Sequence, residues 1–245
     1  MLRTIYNHLK STWYQYVLEI IVVILGILIA FNLEQWSETR SNQKKEIEML
    51  KEFQRGLSAD LSELRYIIRF HENSIRSSRM ILKVIQENLP YHDSLDVYFS
   101  YTHAFSTFSG RMGPVEQLKN TNLALVSNDT LRLAIISMYD ETYPRIRLVE
   151  QAIKRDYEQL RDFDRLYFDA YDFDRPSTNP NMPAPPWGIM RPLRFAELKT
   201  SPEYAALLRA RISNQMGLLR VHDYPAEREL TNLLQQIDLE IQRLE

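Results

Sequence analysis

Most of the chain mixes apolar and charged positions within every few residues, but one block does not. From Ile20 to Phe31 it reads IIVVILGILIAF, without a charge. Extended outward to Tyr14 and Trp36, the block reaches about 20 residues or slightly more, enough for a helix to cross a ~30 Å hydrocarbon core. Trp13 and Tyr14 at one end and Trp36 at the other stand where membrane-interface aromatics collect. No small-x-small cleavage site follows, since Ala30 has Leu28 two places before it. Residues 14–36 therefore read as an uncleaved transmembrane anchor rather than a signal peptide. Ahead of it, residues 1–13 place Leu2, Ile5, Tyr6, Leu9 and Trp13 on one helical face opposite Arg3 and Lys10. That is the pattern of an interfacial amphipathic helix.

Beyond Trp36 the pattern predicts unbroken helix to Leu89-Pro90. Ile47, Leu61, Ile68, Ile75, Leu82 and Leu89 share one heptad position, and Leu50, Leu57, Leu64 and Ile85 share another. Gln54, His71 and Ser78 interrupt the seam. Residues 37–90 thus form a stalk: either a homomeric coiled coil near the membrane or the first helix of an intramolecular bundle farther out. The apolar stripe widens after Tyr66, which favours a bundle distally. Residues 91–245 supply the remainder. Pro90, Gly110 and Gly113 punctuate a loop-like stretch, and a short helix is expected over roughly Val115 to Leu125. Asn128 or Asp129 caps the next helix, Tyr143-Pro144 ends or kinks it, and a long helix resumes from Arg145 toward Tyr171. Residues 173–192 carry six of the eleven prolines, together with Met182, Trp187 and Met190, and read as an ordered cross-over loop. Ser201-Pro202 opens another helix and Pro225 the last. No segment alternates like a strand. The predicted fold is all-α: an N-terminal transmembrane helix continuing into a long stalk helix and an up-and-down bundle.

Two features of the anchor change the picture. Glu19 lies inside the apolar block, where a carboxyl is expected to face other protein or to be protonated. Glu19, Val23, Gly26, Ala30 and Leu33 fall within one narrow stripe at 100° per residue. Gly26 and Ala30 form a small-xxx-small pair of the kind that lets transmembrane helices approach closely, so the stripe is the expected helix–helix interface. The run Glu19-Ile20, Val23, Gly26-Ile27-Leu28-Ile29-Ala30, Trp36 and Glu38 resembles the anchor of a family of bacterial single-span membrane proteins, a domain of unknown function. A second similarity covers Leu118 to Tyr139. Leu18 departs from that family's pattern, where Gly is usual, and so does Asn122, where Gly often marks the turn. The resemblance implies an anchored helical domain and no particular activity.

Charge and composition remove several function classes. With 30 basic and 32 acidic residues the formal net charge is −2, so no basic excess exists to neutralise phosphates and no nucleic-acid partner is expected. Cysteine is absent, which excludes disulfides, thiolate metal sites and a Cys nucleophile. No phosphate-loop, dinucleotide, nucleophile-elbow or HExxH motif occurs, His103 stands isolated, and neither a metal site nor a cofactor is expected. Carboxylates alternate with aromatics from Arg161 to Asp174. Asp172-x-Asp174 begins like a calcium loop, but Pro176 occupies the next ligand position and the required glycine is missing. The simplest reading is a solvated face with i,i+3 and i,i+4 ion pairs. The functional reading is a partner surface of Asp162, Arg165, Asp169, Tyr171, Asp172 and Asp174.

Arg3 and Lys10 precede the span and no acid precedes Glu19, so the N-terminus is expected in the cytoplasm and the C-terminal domain outside it. With the bacterial source that the resemblance implies, the expected location is an inner membrane with the domain in the periplasm. The expected role is non-enzymatic assembly: a homo-oligomer, or an accessory subunit bound to lipid and to another integral membrane protein. The alternative is an extracytoplasmic ligand-sensing bundle that signals laterally to a partner's span.

Overall fold

The structure is a computed structural model that describes residues 2–121 and 123–245, with side chains described from Val17 onward apart from Thr121 and Asp156. The fold is all-α, and among the described residues there is no strand, only two isolated antiparallel bridges. Helix α1 runs from Leu2 to Gln86, 85 residues that extend roughly 130 Å at 1.5 Å per residue. It holds no proline, so nothing in its interior interrupts the backbone ladder. Every described residue from 17 to 42 is exposed. It is the one described helix long and apolar enough to cross a membrane. The helix stops four residues short of Pro90. Asn88 takes a left-handed conformation at φ 52°, and the Leu89 N–H reaches back to the Val84 carbonyl at 3.0 Å.

The bundle closes on α1 from Gln43 onward. Leu50, Phe53, Leu57 and Leu64 are fully buried, so the heptad seam faces the chain's own helices. Helices α2 (Asp96–Thr102) and α3 (Gly113–Thr121) form a broken descending segment along α1. Gly56 lets Pro114 of α3 come close, since a Cβ there would sit 3.3 Å from the proline ring. Helices α4 (Asp129–Ser137) and α5 (Tyr143–Tyr167) ascend, with Asn128 capping α4 by accepting the Leu131 N–H at 3.2 Å. A short α6 (Phe195–Thr200), which the sequence pattern missed, precedes α7 (Pro202–Leu218) and α8 (Tyr224–Leu244). These descend antiparallel to α1: Ser74 bonds Arg211, Glu72 bonds Tyr224, and Lys51 pairs with Glu245 at 2.6 Å.

Both Tyr-Pro steps are joined without a break. A π turn spans Met138–Thr142 before Tyr143-Pro144, and another spans Leu219–Asp223 before Tyr224-Pro225. Proline lacks an N–H and crowds the preceding turn. Widening that turn relieves the crowding and keeps the helix going. Of the end or kink expected at Tyr143-Pro144, the end does not occur: a π turn carries the helix on as one long rod. Helix α5 ends at Tyr167, so Tyr171 lies outside it, contrary to the periodicity.

The cross-over from α5 to α7 folds back on itself. Phe168 bridges Pro192 and Asp172 bridges Ile189, with Ile189 N–H to the Asp172 carbonyl at 2.8 Å. Met182, Ile189 and Met190 are buried, and Trp187 donates to the Ser100 carbonyl at 3.1 Å. Gly188 makes the fold-back possible at φ +90°, where a Cβ would meet the Asp172 carbonyl oxygen at 2.8 Å. Gly188→Ala is expected to lower stability by about 2 kcal/mol, which for a chain of this size is a fall of about 4–8 °C in Tm. A thermal melt by circular dichroism checks this, and an unchanged Tm would show that the fold-back does not depend on this glycine.

Candidate functional site

The end of the bundle away from the exposed apolar part of α1 assembles a buried polar cluster that joins three helices. His103 caps the C-terminus of α2 and is fully buried. Its Nδ1 meets the Asp164 carboxylate from α5, and its Nε2 lies 2.8 Å from the Tyr204 hydroxyl of α7. Burial pushes the Tyr204 phenol well above the ordinary tyrosine range, so it stays a neutral hydroxyl. Beside this trio, Arg211 is 1 % exposed; it donates to the Ser74 hydroxyl and to the Ala104 carbonyl, tying α7 to α1 and to the loop after α2. Of the trio only Asp164 reaches solvent, with 21 % of its side chain exposed. It opens into a cleft of about 520 Å³ between α5 and the cross-over, walled by Tyr157, Arg161, Arg165, Asp169 and Tyr171. The arrangement fixes three helices and offers a mixed-charge, aromatic rim to the outside.

The cleft takes three of the six residues of the expected partner surface: Arg165, Asp169 and Tyr171. Asp162 is exposed on α5 and does not line it. Asp172 and Asp174 lie beyond its wall, the Asp172 carboxylate accepting the Asp174 N–H at 3.0 Å. The i,i+3 and i,i+4 ion pairs expected along this stretch do not form among the described residues. Asp164 turns to His103 instead, and Asp169 to Arg191 at 3.5 Å, because the cross-over brings nearer partners than the next helical turn. Nor is His103 isolated. Its partners are 61 and 101 residues away, and no local pattern announces them. Among the described residues no three His, Asp or Glu side chains gather to hold a metal ion.

At the other end of the molecule, Glu19, Val23, Gly26, Ala30 and Leu33 are all exposed along α1. A Cβ added at Gly26 would meet nothing within 4 Å, and Glu19 has no hydrogen bond or ion pair among the described residues. Trp36 is 58 % exposed, with the Arg40 guanidinium 4.7 Å above its ring. Trp13 and Tyr14 lie outside the described side chains, as does the apolar face expected over residues 1–13, and Asn122 lies outside the described residues.

A family model described as "Family of unknown function (DUF6090)" matches residues 19–160, more than half of the chain. The chain belongs to the DUF6090 family. No curated protein and no solved structure matches it. The DUF6090 match begins at Glu19 and takes in the Gly26–Ala30 pair, the bundle-forming part of α1, and His103. It stops short of Asp162–Asp174, the cross-over, α7 and α8.

Within the DUF6090 region two further groups are buried at a cost. Glu150 of α5 accepts the Phe108 N–H at 2.9 Å, and burial together with the nearby Asp223 charge pushes its carboxyl up to about 8. His71 of α1 is pushed down to about 3 by burial and by Arg211. Outside the match, Asp223 in the second π turn is fully buried, neither carboxyl oxygen has a partner among the described residues, and burial raises it to about 7. Both acids bind their protons more tightly folded than unfolded. Stability from them is therefore greatest at low pH and is lost as the pH rises through about 7 and 8. His71 acts oppositely: its folded value lies below 6.5, so stability is lost as the pH falls beneath that value. Asp223→Asn is expected to raise Tm by several degrees at pH 8 and by clearly less at pH 5. Equal gains at both would mean that the carboxyl is not destabilised by its ionisation.

Proposed function

We propose that this DUF6090 protein is a non-enzymatic, membrane-anchored helical assembly protein, working as a homo-oligomer or as an accessory subunit of a larger membrane complex. One observation carries the reading: the helix that is bare from Val17 to Asn42 is the same unbroken helix around which the bundle is built. A bare apolar helix belongs in lipid, and a carboxyl on it at Glu19 calls for a polar partner from another helix. Gly26 and Ala30 on the same stripe allow that helix to come close. With no proline or π turn between span and bundle, lateral pairing of spans would set the spacing and rotation of the bundles they carry. The distal cleft then offers a second surface to a partner. The protein sits in this reading in a bacterial inner membrane, N-terminus in the cytoplasm and bundle in the periplasm.

Native mass spectrometry after gentle extraction from the protein's own membrane is expected to give an integral multiple of 29.1 kDa, or a fixed-ratio complex with another membrane protein. Glu19→Leu and Gly26→Leu should each weaken that assembly. If both leave it intact, the span is not the interface; a monomer in the wild type would end the assembly reading. Because the chain has no cysteine, Leu148→Cys, at an exposed position on α5, gives a single label site for orientation. A membrane-impermeant maleimide should react with it once the outer membrane is opened. Reaction only after complete lysis would place the bundle in the cytoplasm.

A further inference from the structure

A second groove, separate from the distal cleft, runs between α1 and the α7–α8 junction, with a volume of about 520 Å³. Its floor is apolar: Ile75 and Leu219 are buried, and Met80 and Met216 are half-buried. Its rim is basic. Arg76, Arg79 and Lys83 project along α1, and Arg220 faces them from the second π turn. Among the described residues none of these four cations has a carboxylate partner, although ten Lys or Arg side chains pair with a carboxylate elsewhere on the bundle. Glu72 is the single acid in the lining, and it is already engaged, accepting the Tyr224 hydroxyl at 2.7 Å across one end. The Arg79 Nη2 sits 3.1 Å from the Met216 thioether. A thioether is a weak acceptor, so a guanidinium donor aimed at it inside the groove is poorly served.

We infer that this groove binds a small amphiphilic anion, an apolar chain or ring carrying one carboxylate or phosphate. The planar guanidinium fork matches the head group, and the two flexible methionines give the body an adaptable apolar bed. A concave site with four like charges also concentrates anions from solution. The volume is that of a small-molecule pocket, and the Glu72–Tyr224 bond closes one end against a partner helix running through. The groove lies roughly 60 Å along α1 from Trp36, so the lipids of the bilayer do not reach it and the ligand arrives from solution. The inference depends on the bundle alone and stands or falls separately from association of the spans.

The test uses the full chain in nanodiscs and a decanoate bearing a diazirine in its chain, with the crosslinked peptides mapped by mass spectrometry. Crosslinks are expected on the peptides holding Met80 and Met216, and the methyl ester of the same probe should give few. Paired Arg76→Glu and Arg79→Glu should cut groove labelling about tenfold, in line with the loss of charge-assisted bonds. Both side chains are exposed and unpaired by any carboxylate, so the fold should survive, as an unchanged melt would verify. Lys83→Gln with Arg220→Gln gives an independent, milder pair with the same expected direction. Labelling confined to Val17–Trp36 would mean that the probe resides only in the bilayer and would overturn the site. Equal groove labelling by the ester, or by the charge-reversed variant, would overturn its selectivity for anions.

Discussion

A single helix carries two kinds of surface. From Ile20 to Phe31 α1 turns uncharged, mostly apolar side chains outward, a surface compatible with a span through hydrocarbon. From Gln43 it is instead amphipathic, with Leu50, Phe53, Leu57 and Leu64 turned into a core built by the rest of the chain. Backbone bonding within the helix makes the transition possible without a joint, because each turn is satisfied by its own neighbours whatever lies outside. Everything else in the fold follows this rod. The α4–α5 and α7–α8 rods run along it, and their length is preserved by π turns that absorb Pro144 and Pro225 instead of breaking.

The interior of the bundle is tied by polar groups as well as packed. Asp60 is fully buried and accepts from the Arg111 backbone and side chain and from the Tyr143 hydroxyl, which pins the descending loop to α1 and α5. Glu46 accepts from Ser127 where α4 begins, and His103 joins α2, α5 and α7 at the far end. Such bonds add modestly to stability while being costly to leave unmade, so they select one register of the rods over its neighbours. Asp223 in the second π turn is tied differently from these. Its oxygens are buried without partners, and the strain is relieved by holding a proton rather than by a hydrogen bond.

Charge is arranged differently at the two clefts. In the distal one, acids and bases alternate and are partly answered within the chain, as by Asp169 with Arg191 and Asp164 with His103. In the groove beside the second π turn the rim is basic and unanswered. A chain of nearly balanced charge can therefore carry a local field of one sign, which its net charge of −2 conceals.

The sequence by itself determined the helical class, the apolar stretch long enough to span a membrane, and several helix starts. These are local properties: a 3.6-residue period, an uncharged run, Asn128 and Ser201 placed to cap the next N–H groups, and Pro202 at a first position. Local rules also explain the misses. Tyr143-Pro144 reads equally as an end or a kink until packing on both sides favours a π turn over a break, and Tyr171 looks helical until the cross-over draws it into a bridged fold-back. Three members of the expected partner surface share a cleft, yet the side chain at its floor, Asp164, was legible only as one more carboxylate on a charged face. What makes it different is His103, which Tyr204 engages on its other ring nitrogen. Only the tertiary structure decided these, because contacts between residues 61 and 101 positions apart depend on how the rods align, and no period or spacing along the chain records that alignment.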